Sequence, residues 1–460
     1  MKPTPIIIVQ GAQWGSEAKG AIAARLCLDR NITYAVRTGA INAGHTVMFK
    51  GKKYAMQQIP TGWINQFTQL VIGPGAYIHP DTLWREIDII NSAMPEHDVR
   101  RRLIIDYRCG THTGAAEDAS RAANRHHAIG ATGKGCSEAI VAKIRDRNNG
   151  YQLFAETETA KIFRGHGVVF GDTVGLLHRA YDDGARILIE GTQGTLLDLH
   201  LGPYPFTTSR MTTAANWIAE AGLSPGMEYE TVLVVRTYPI RVAGNSGLMD
   251  NEIEWTDLAR EMNIRLADAG RPAIVSETDL VIFESCLQQA AYRAAREDRY
   301  QTPIEPGADK FNVRLSSWDP AMRDRFRVAA SELQKEALGL CGSEVVDRLR
   351  ALFEMTTVTR KLRRLARMSI SDLHFSIMVN RPSWIALTFL DYVFPALAGV
   401  KEADLLNLGE QPGGLPPLVD AWLTDLSQEL GVPIKMASVG PHPLNVFDVD
   451  LARRSASGKR

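Results

Sequence analysis

The sequence predicts an α/β fold, a mainly parallel twisted sheet covered by helices, with a P-loop-like nucleotide-binding core and a helical insertion. Three observations carry this. The chain opens on a β-branched apolar run, Pro5 to Gln10, that lacks alternation and so suits a strand buried on both faces. A glycine-rich loop, Gly11 to Gly20, follows, and Ala21 to Leu28 then reads as helix, the order expected of a nucleotide-binding unit. Further short apolar runs recur, many of them separated by helical stretches.

Those runs are "LVIG" from Leu70, "RLIID" from Arg102, "ILIEG" from Ile187, "TVLVVR" from Thr231 and "SWIALTFLD" from Ser383. Residues 1–251 read as the first part of the core. Residues 252–352 differ, being rich in Arg, Glu, Ala and Leu ("LQQAAYRAAREDRY", "VAASELQKEALGL"). They read as a mostly helical insertion broken by "TPIEPGADK". Residues 353–452 complete the core, and the tail 453–460, "RRSASGKR", is expected to be disordered.

At 460 residues the chain can bury a large core without disulfides. Its 52 basic and 52 acidic residues cancel, which argues against coating nucleic acid or lying on a membrane. Five scattered cysteines with no CxxC suggest a reduced, cytoplasmic protein without a zinc site. The run Ile6 to Val9 is too short for a signal peptide, and no apolar run reaches the roughly 18 residues of a membrane span.

The chemistry concentrates in ordered motifs. Gly11, Gly15 and Gly20 let backbone approach an anion, the following helix presents its positive end, and Lys19 adds a mobile charge. The spacing is not that of a Walker A loop, since Gly11 to Gly15 is one residue short and Gly20 follows the lysine. In "RTGAINAGHTV", Asn42, Gly44 and His45 occupy a small-residue loop. An exposed histidine there could polarise an oxygen or donate a proton, although a lone loop histidine is more often a surface residue.

QWGxExKG followed by NAGHT resembles the adenylosuccinate synthetase family, ligases that join aspartate to a purine nucleotide. The resemblance continues through "GATGKG" at Gly130, "LIEGTQGTLLDLHLGPYPFTTS" from Leu188, "RTYPIRV" from Arg236 and "TTVTRKLRRLARM" from Thr356. It ends with "LTFLD" from Leu387 and "SVGP" from Ser438. It implies a set of roles. Gly15, Glu17, Lys19 and Gly20 would line the donor phosphates, with Phe389, Asp391, Ser438 and Gly440 at the donor base. His45 would act on the transferring phosphoryl group and purine O6, and Gln193 would contact the acceptor base. Asn42, Thr132 and Thr208 would bind the acceptor phosphate, completed by Arg145 or Arg147 from a second subunit of a homodimer. Thr357, Thr359, Lys361 and Arg363 would receive L-aspartate. Mg²⁺ would sit near Ser16 and the Gly44 carbonyl, with ATP or GTP as phosphoryl donor.

Four departures from the family pattern stand out. Ser16 occupies the place of the aspartate that takes the purine N1 proton, a task an unassisted hydroxyl cannot perform near neutral pH. Three readings of Ser16 stand: an inactive nucleotide-binding homologue, IMP chemistry with another proton acceptor, or a guanine-type acceptor whose 2-amino group needs the room. The last is favoured, because a serine here resembles the phage-type branch that acts on dGMP on the way to 2-aminoadenine nucleotides. Phe389 replaces a lysine, which leaves either a stacking platform for guanine or a shift toward ATP. Lys361 replaces an arginine and removes a bidentate fork. Ala18 replaces a glycine, and its methyl group is expected to require a negative φ or tight packing.

Overall fold

The computed structural model describes residues 4–123, 129, 131–244, 246–297, 320–355, 361–405 and 415–456. Its centre is a ten-stranded sheet. In chain order the strands are β1 (Ile6–Gly11), β2 (Tyr34–Arg37), β3 (Gln69–Ile72), β4 (Leu103–Asp106) and β5 (Val169–Gly171). They continue with β6 (Ile187–Glu190), β7 (Tyr229–Arg236), β8 (Trp384–Thr388), β9 (Ile434–Ser438) and β10 (Val446–Asp448). The spatial order is β10-β9-β8-β7-β1-β6-β2-β3-β4-β5. Every pairing is parallel except β9 with β10. All six runs singled out in the sequence lie in this sheet.

The lack of alternation in β1 has a direct cause. Ile7 and Val9 enter one core with Ile22, Leu26 and Trp63, whereas Ile6 and Ile8 enter another with Ile189 and Trp217. Strand β7 divides likewise, with Val232 and Val234 on the first face and Leu233 and Val235 on the opposite face against Leu387 and Leu423. Burial on both faces removes the polar half of the strand pattern. Each buried aliphatic side chain contributes on the order of 1.5–3 kcal/mol of burial free energy before the entropy of ordering is counted.

β1 leaves the sheet between β6 and β7, so its C-terminal loop meets two other strand ends. This is the crevice where open parallel sheets bind ligands. Helix α1 (Lys19–Asp29) begins inside the predicted glycine loop, so Lys19 and Gly20 belong to its first turn. A three-stranded antiparallel sheet stands beside the main one and joins Ile240–Arg241 and Glu252–Ile253 to Arg364–Ala366.

Residues 252–352 carry helices Trp255–Asp268, Glu277–Arg296, Pro320–Leu340 and Ser343–Leu349. They build a separate apolar cluster around Leu258, Met262, Phe283, Leu349 and Phe353, which Leu362 and Leu365 join. The "TPIEPGADK" stretch lies outside the described residues. The C-terminal segment corrects one expectation. A helix, Val449–Ala456, runs through the first half of the tail expected to be disordered, anchored by Val449 and Ala452 in the core beside β9. Among the described residues no helix is long and apolar enough to cross a membrane.

Candidate functional site

The loop after β1 is pinned from inside. The Glu17 carboxylate is fully buried and accepts from the backbone N–H of Gln13 (3.0 Å) and Gly15 (2.8 Å) while pairing with Lys19 at 2.6 Å. Glu17 therefore faces under the loop and orients Lys19, and does not line an open phosphate cradle as its place in the motif suggests. Lys19 is itself buried and held, which corrects the expectation of a mobile charge. Thr388, at the end of β8, donates to the Glu17 carbonyl at 3.0 Å.

Above this anchor the backbone is left-handed at Gly15 (φ 84°), Ser16 (φ 61°) and Ala18 (φ 63°). Of the two alternatives for Ala18, a negative φ is ruled out: the methyl is carried in the left-handed region, half-buried, on the residue that precedes α1. Ser16 is exposed, and its carbonyl accepts from Arg236 at 3.3 Å.

Two glycines permit the loop after β6 to close on the loop after β1. A Cβ on Gly194 would meet the Gln13 carbonyl oxygen at 2.2 Å, and one on Gly11 would meet the Gln193 carbonyl oxygen at 2.6 Å. Gln193, also left-handed at φ 61°, is thereby set beside Gly15.

His45 is buried, which corrects its reading as an exposed loop residue. It begins a short strand, His45–Phe49, that packs on α1 where Gly20 leaves space. Its Nδ1 bonds to Glu190, and its Nε2 is a buried nitrogen with no hydrogen-bond partner among the described residues. Glu190 ends β6, is fully buried, and also accepts from Arg37 (3.1 Å), the Thr61 N–H (2.7 Å) and the Thr61 hydroxyl (2.8 Å). Burial, reinforced by the nearby Arg37, pushes the His45 imidazole down to about 4 against the opposing pull of Glu190. Burial alone would raise Glu190, yet His45, Arg37 and the Thr61 amide hold it below the usual carboxylate value. The ring at neutral pH is therefore neutral, with Nδ1–H donating to a carboxylate and the Nε2 lone pair free.

Asn42 is half-buried in the turn between β2 and His45, and Gly44 is exposed. Thr132 is exposed in the loop that leads into helix Cys136–Arg145, whose first residue packs on Ala40 and Ile41. That contact brings the Thr132 loop to the Asn42 turn. Thr208 donates its N–H to the Leu197 carbonyl at 2.8 Å, close after the Gln193 loop. Arg145 and Arg147 lie on the exposed surface at the far end of their helix, and Arg145 grips Asp146 at 2.7 Å.

On the other side of β7, β8 and β9 are adjacent, so Phe389, Asp391, Ser438 and Gly440 leave neighbouring strand ends. Burial raises the Asp391 carboxyl to about 6, and its Oδ1 has no partner among the described residues. Phe389 is left-handed at φ 58° and carries the Arg236 guanidinium over its ring at 3.6 Å. One face of the ring is thus already covered. Arg236 also bonds to Glu354 and to the Tyr238 carbonyl (2.7 Å). Lys361 is buried and paired with Glu332, and burial lowers Arg363, which Glu354 opposes. Thr357 and Thr359 lie outside the described residues.

Sequence reasoning passed over Glu190, Arg37, Arg236, Glu332 and Glu354. Only Glu190 left a local signal, a carboxylate closing the apolar run "ILIE" where nothing in the strand pattern calls for one. Among the described residues no group of three His, Cys, Asp or Glu could hold a metal.

A pinned glycine loop, a carboxylate-held imidazole and a buried lysine at the C-terminal ends of parallel strands define an α/β enzyme of nucleotide-phosphate chemistry. The chain belongs to the adenylosuccinate synthetase family of ligases, whose model matches residues 8–163 and 155–293. It is 36% identical over 239 residues to the adenylosuccinate synthetase of Methanococcus aeolicus, covering 51% of this chain and 67% of that relative. To the adenylosuccinate synthetase of a Pyrococcus species it is 34% identical over 255 residues, covering 55% and 71%. The matched stretch thus spans about two thirds of these relatives, with coverages of 67% and 71%.

Two solved structures share the fold. The succinoaminodeoxyadenylate synthetase of cyanophage S-2L, bound to dGMP and to dATP as an energy donor, superposes with a TM-score of 0.64 at 20% identity, covering 99% of each chain. The fully ligated adenylosuccinate synthetase of Plasmodium falciparum gives 0.63 at 18% identity, covering 96% of this chain and 99% of that one.

Proposed function

We propose that the protein joins the amine of L-aspartate to C6 of a 6-oxopurine 5′-monophosphate, with dGMP or GMP as preferred acceptor and ATP as the weakly preferred donor. Phosphorylation of O6 turns a poor leaving group into phosphate, which the aspartate amine then displaces. The observation that carries this reading is the unpartnered Nε2 of His45, held by Glu190 beside Lys19. A neutral ring accepts a hydrogen bond at Nε2. When donor phosphates bring negative charge nearby, the imidazolium becomes favoured, and Nε2–H can donate to the oxygen that bears the new phosphoryl group. Lys19 supplies fixed positive charge, with Glu17 setting its direction.

The acceptor preference rests on Ser16. It stands exposed at the loop summit, where a neutral, short side chain leaves room beside a 2-amino group. The cyanophage neighbour, bound to dGMP and to dATP as an energy donor, supports a guanine acceptor and an adenine donor. The proton on N1 then passes to a phosphate oxygen or to water. The ATP preference rests on the donor-base strands: Asp391, ionised, would accept from N1–H and N2–H of a GTP donor's guanine. Burial raises its carboxyl to about 6, so it holds its charge less firmly than an ordinary aspartate. The second reading, an IMP-using enzyme, is favoured by the names of the archaeal relatives.

Ser16 and Gly44 are both exposed residues that offer an oxygen, a hydroxyl and a carbonyl, which suits Mg²⁺ arriving with substrate phosphates rather than a dedicated protein cage. When bound, the ion would neutralise phosphate charge. A homodimer would place Arg145 or Arg147 of one subunit at the acceptor phosphate of the other.

The reaction is tested by labelling the acceptor's O6 with ¹⁸O. The label is expected in the released inorganic phosphate, in step with formation of the succinyl adduct. Label retained in the nucleotide, or lost to water, would exclude the 6-phosphoryl route.

A further inference from the structure

The cations that the proposed reaction assigns to the amine substrate are already facing protein carboxylates. Lys361 is buried and pairs with Glu332, which comes from helix Pro320–Leu340 and keeps 29% of its side chain exposed. Arg363 faces Glu354, whose carboxylate also serves Arg236. The backbone fixes this geometry. Leu362 bridges to Met355 in antiparallel register, the Arg363 N–H donates to the Glu354 carbonyl at 2.8 Å, and Leu362 is sunk in the helical cluster beside Leu338.

The two partners differ in kind. Glu354 is locked between Arg236 and the Tyr392 hydroxyl (3.2 Å). Glu332 is no more exposed than Glu354, but its carboxylate meets the single ammonium of Lys361 and not a guanidinium and a hydroxyl together. Held by one ammonium, Glu332 is the carboxylate that an incoming anion displaces more readily. Its helix belongs to the region 252–352, which none of the family's motifs covers, so no motif in the sequence points to it.

We propose that Glu332 is a specificity-determining residue: its carboxylate occupies Lys361 in place of the amino acid's own carboxylate, so it sets the affinity for the amine substrate through competition. Binding of aspartate then requires the Glu332–Lys361 pair to open and the helix flank to give way. Lysine suits this better than arginine. A single ammonium can be handed from one carboxylate to another by rotation, whereas a guanidinium fork would hold Glu332 in two parallel hydrogen bonds. This rests on the reading of L-aspartate as the amine donor.

The test is steady-state kinetics of Glu332→Gln with aspartate varied at saturating nucleotides, then with each nucleotide varied. The KM for aspartate is expected to fall roughly fivefold or more, the scale of a partly buried ion pair, while the nucleotide KM values stay within about twofold. Glu332→Asp, which keeps the charge but withdraws it by one methylene, should fall between. In a Lys361→Gln background the Glu332→Gln change should leave the aspartate KM where it was. An unchanged or raised aspartate KM in active Glu332→Gln enzyme, or an equal effect without Lys361, would overturn the inference alone. Absence of aspartate-dependent turnover in the wild type with every 6-oxopurine nucleotide would instead overturn the assigned reaction, and this inference with it.

Discussion

At the scale of single residues, two side chains carry most of the proposed chemistry. Lys19→Ala and His45→Ala are each expected to lower kcat by at least about 10²-fold with the fold retained, since both are proposed to act where charge develops. Near-normal kcat in either, measured by phosphate release, would remove that residue from the mechanism. His45 also leaves a signature in stability. Its folded pKa, about 4, lies below the ordinary value of 6.5, so between those limits the unfolded chain binds more protons. Stability should therefore fall as pH drops from 6.5 toward 4, by at most about 1.4 kcal/mol per pH unit. Glu190, held below its ordinary value, adds a loss in the same direction at lower pH. His45→Gln should flatten the upper part of that slope in urea melts taken across this range.

At the scale of elements, the site depends on two loops meeting above β1. Gly194 is where they touch most closely, with a Cβ position 2.2 Å from a backbone oxygen that cannot swing aside. Gly194→Ala is expected to push the loop carrying Gln193 away from Gly15. Turnover should drop by roughly 10²-fold or more, the cost of misplacing a reacting group by an ångström, with a smaller loss in melting temperature. Full activity in this variant would mean that the loop contact is incidental.

This scale also shows what was legible beforehand. The buried strands announced themselves because apolar side chains serve both faces, as Ile6 through Val9 do. The glycine loop and the ordered motifs lie at the C-terminal ends of β1, β2, β6, β8 and β9, where a parallel sheet leaves its loops. Arg236 and Glu332 were illegible because their meaning lies in partners 118 and 29 residues away, Glu354 and Lys361. The burial of His45 was missed because its small-residue neighbours read as a surface loop, although Gly20 removes the side chain that would have kept it out.

At the scale of the whole molecule, the sheet order sets three strand-end groups side by side: β8 and β9, proposed for the donor base, β1 and β6, proposed for phosphoryl transfer, and β2, proposed for the acceptor. Arg145 and Arg147 stand outside that line, on the surface. If they complete the acceptor site of a second copy, mixing inactive Lys19→Ala protein with an inactive Arg145 or Arg147 variant should restore part of the activity through hybrid dimers. A monodisperse, fully active monomer in light scattering would contradict this.

The central claim is the identity of the acceptor, and a substrate matrix tests it most directly. IMP, GMP and dGMP are crossed with ATP and GTP in the presence of L-aspartate and Mg²⁺, in wild type and Ser16→Asp, with kcat/KM read from released phosphate. In the wild type, dGMP or GMP should be used and IMP handled poorly. Ser16→Asp should weaken the guanine substrate and raise IMP use by about 10²-fold, the lower end of what a positioned general base contributes. Wild-type protein that uses IMP with full efficiency and ignores both guanine nucleotides would contradict the account.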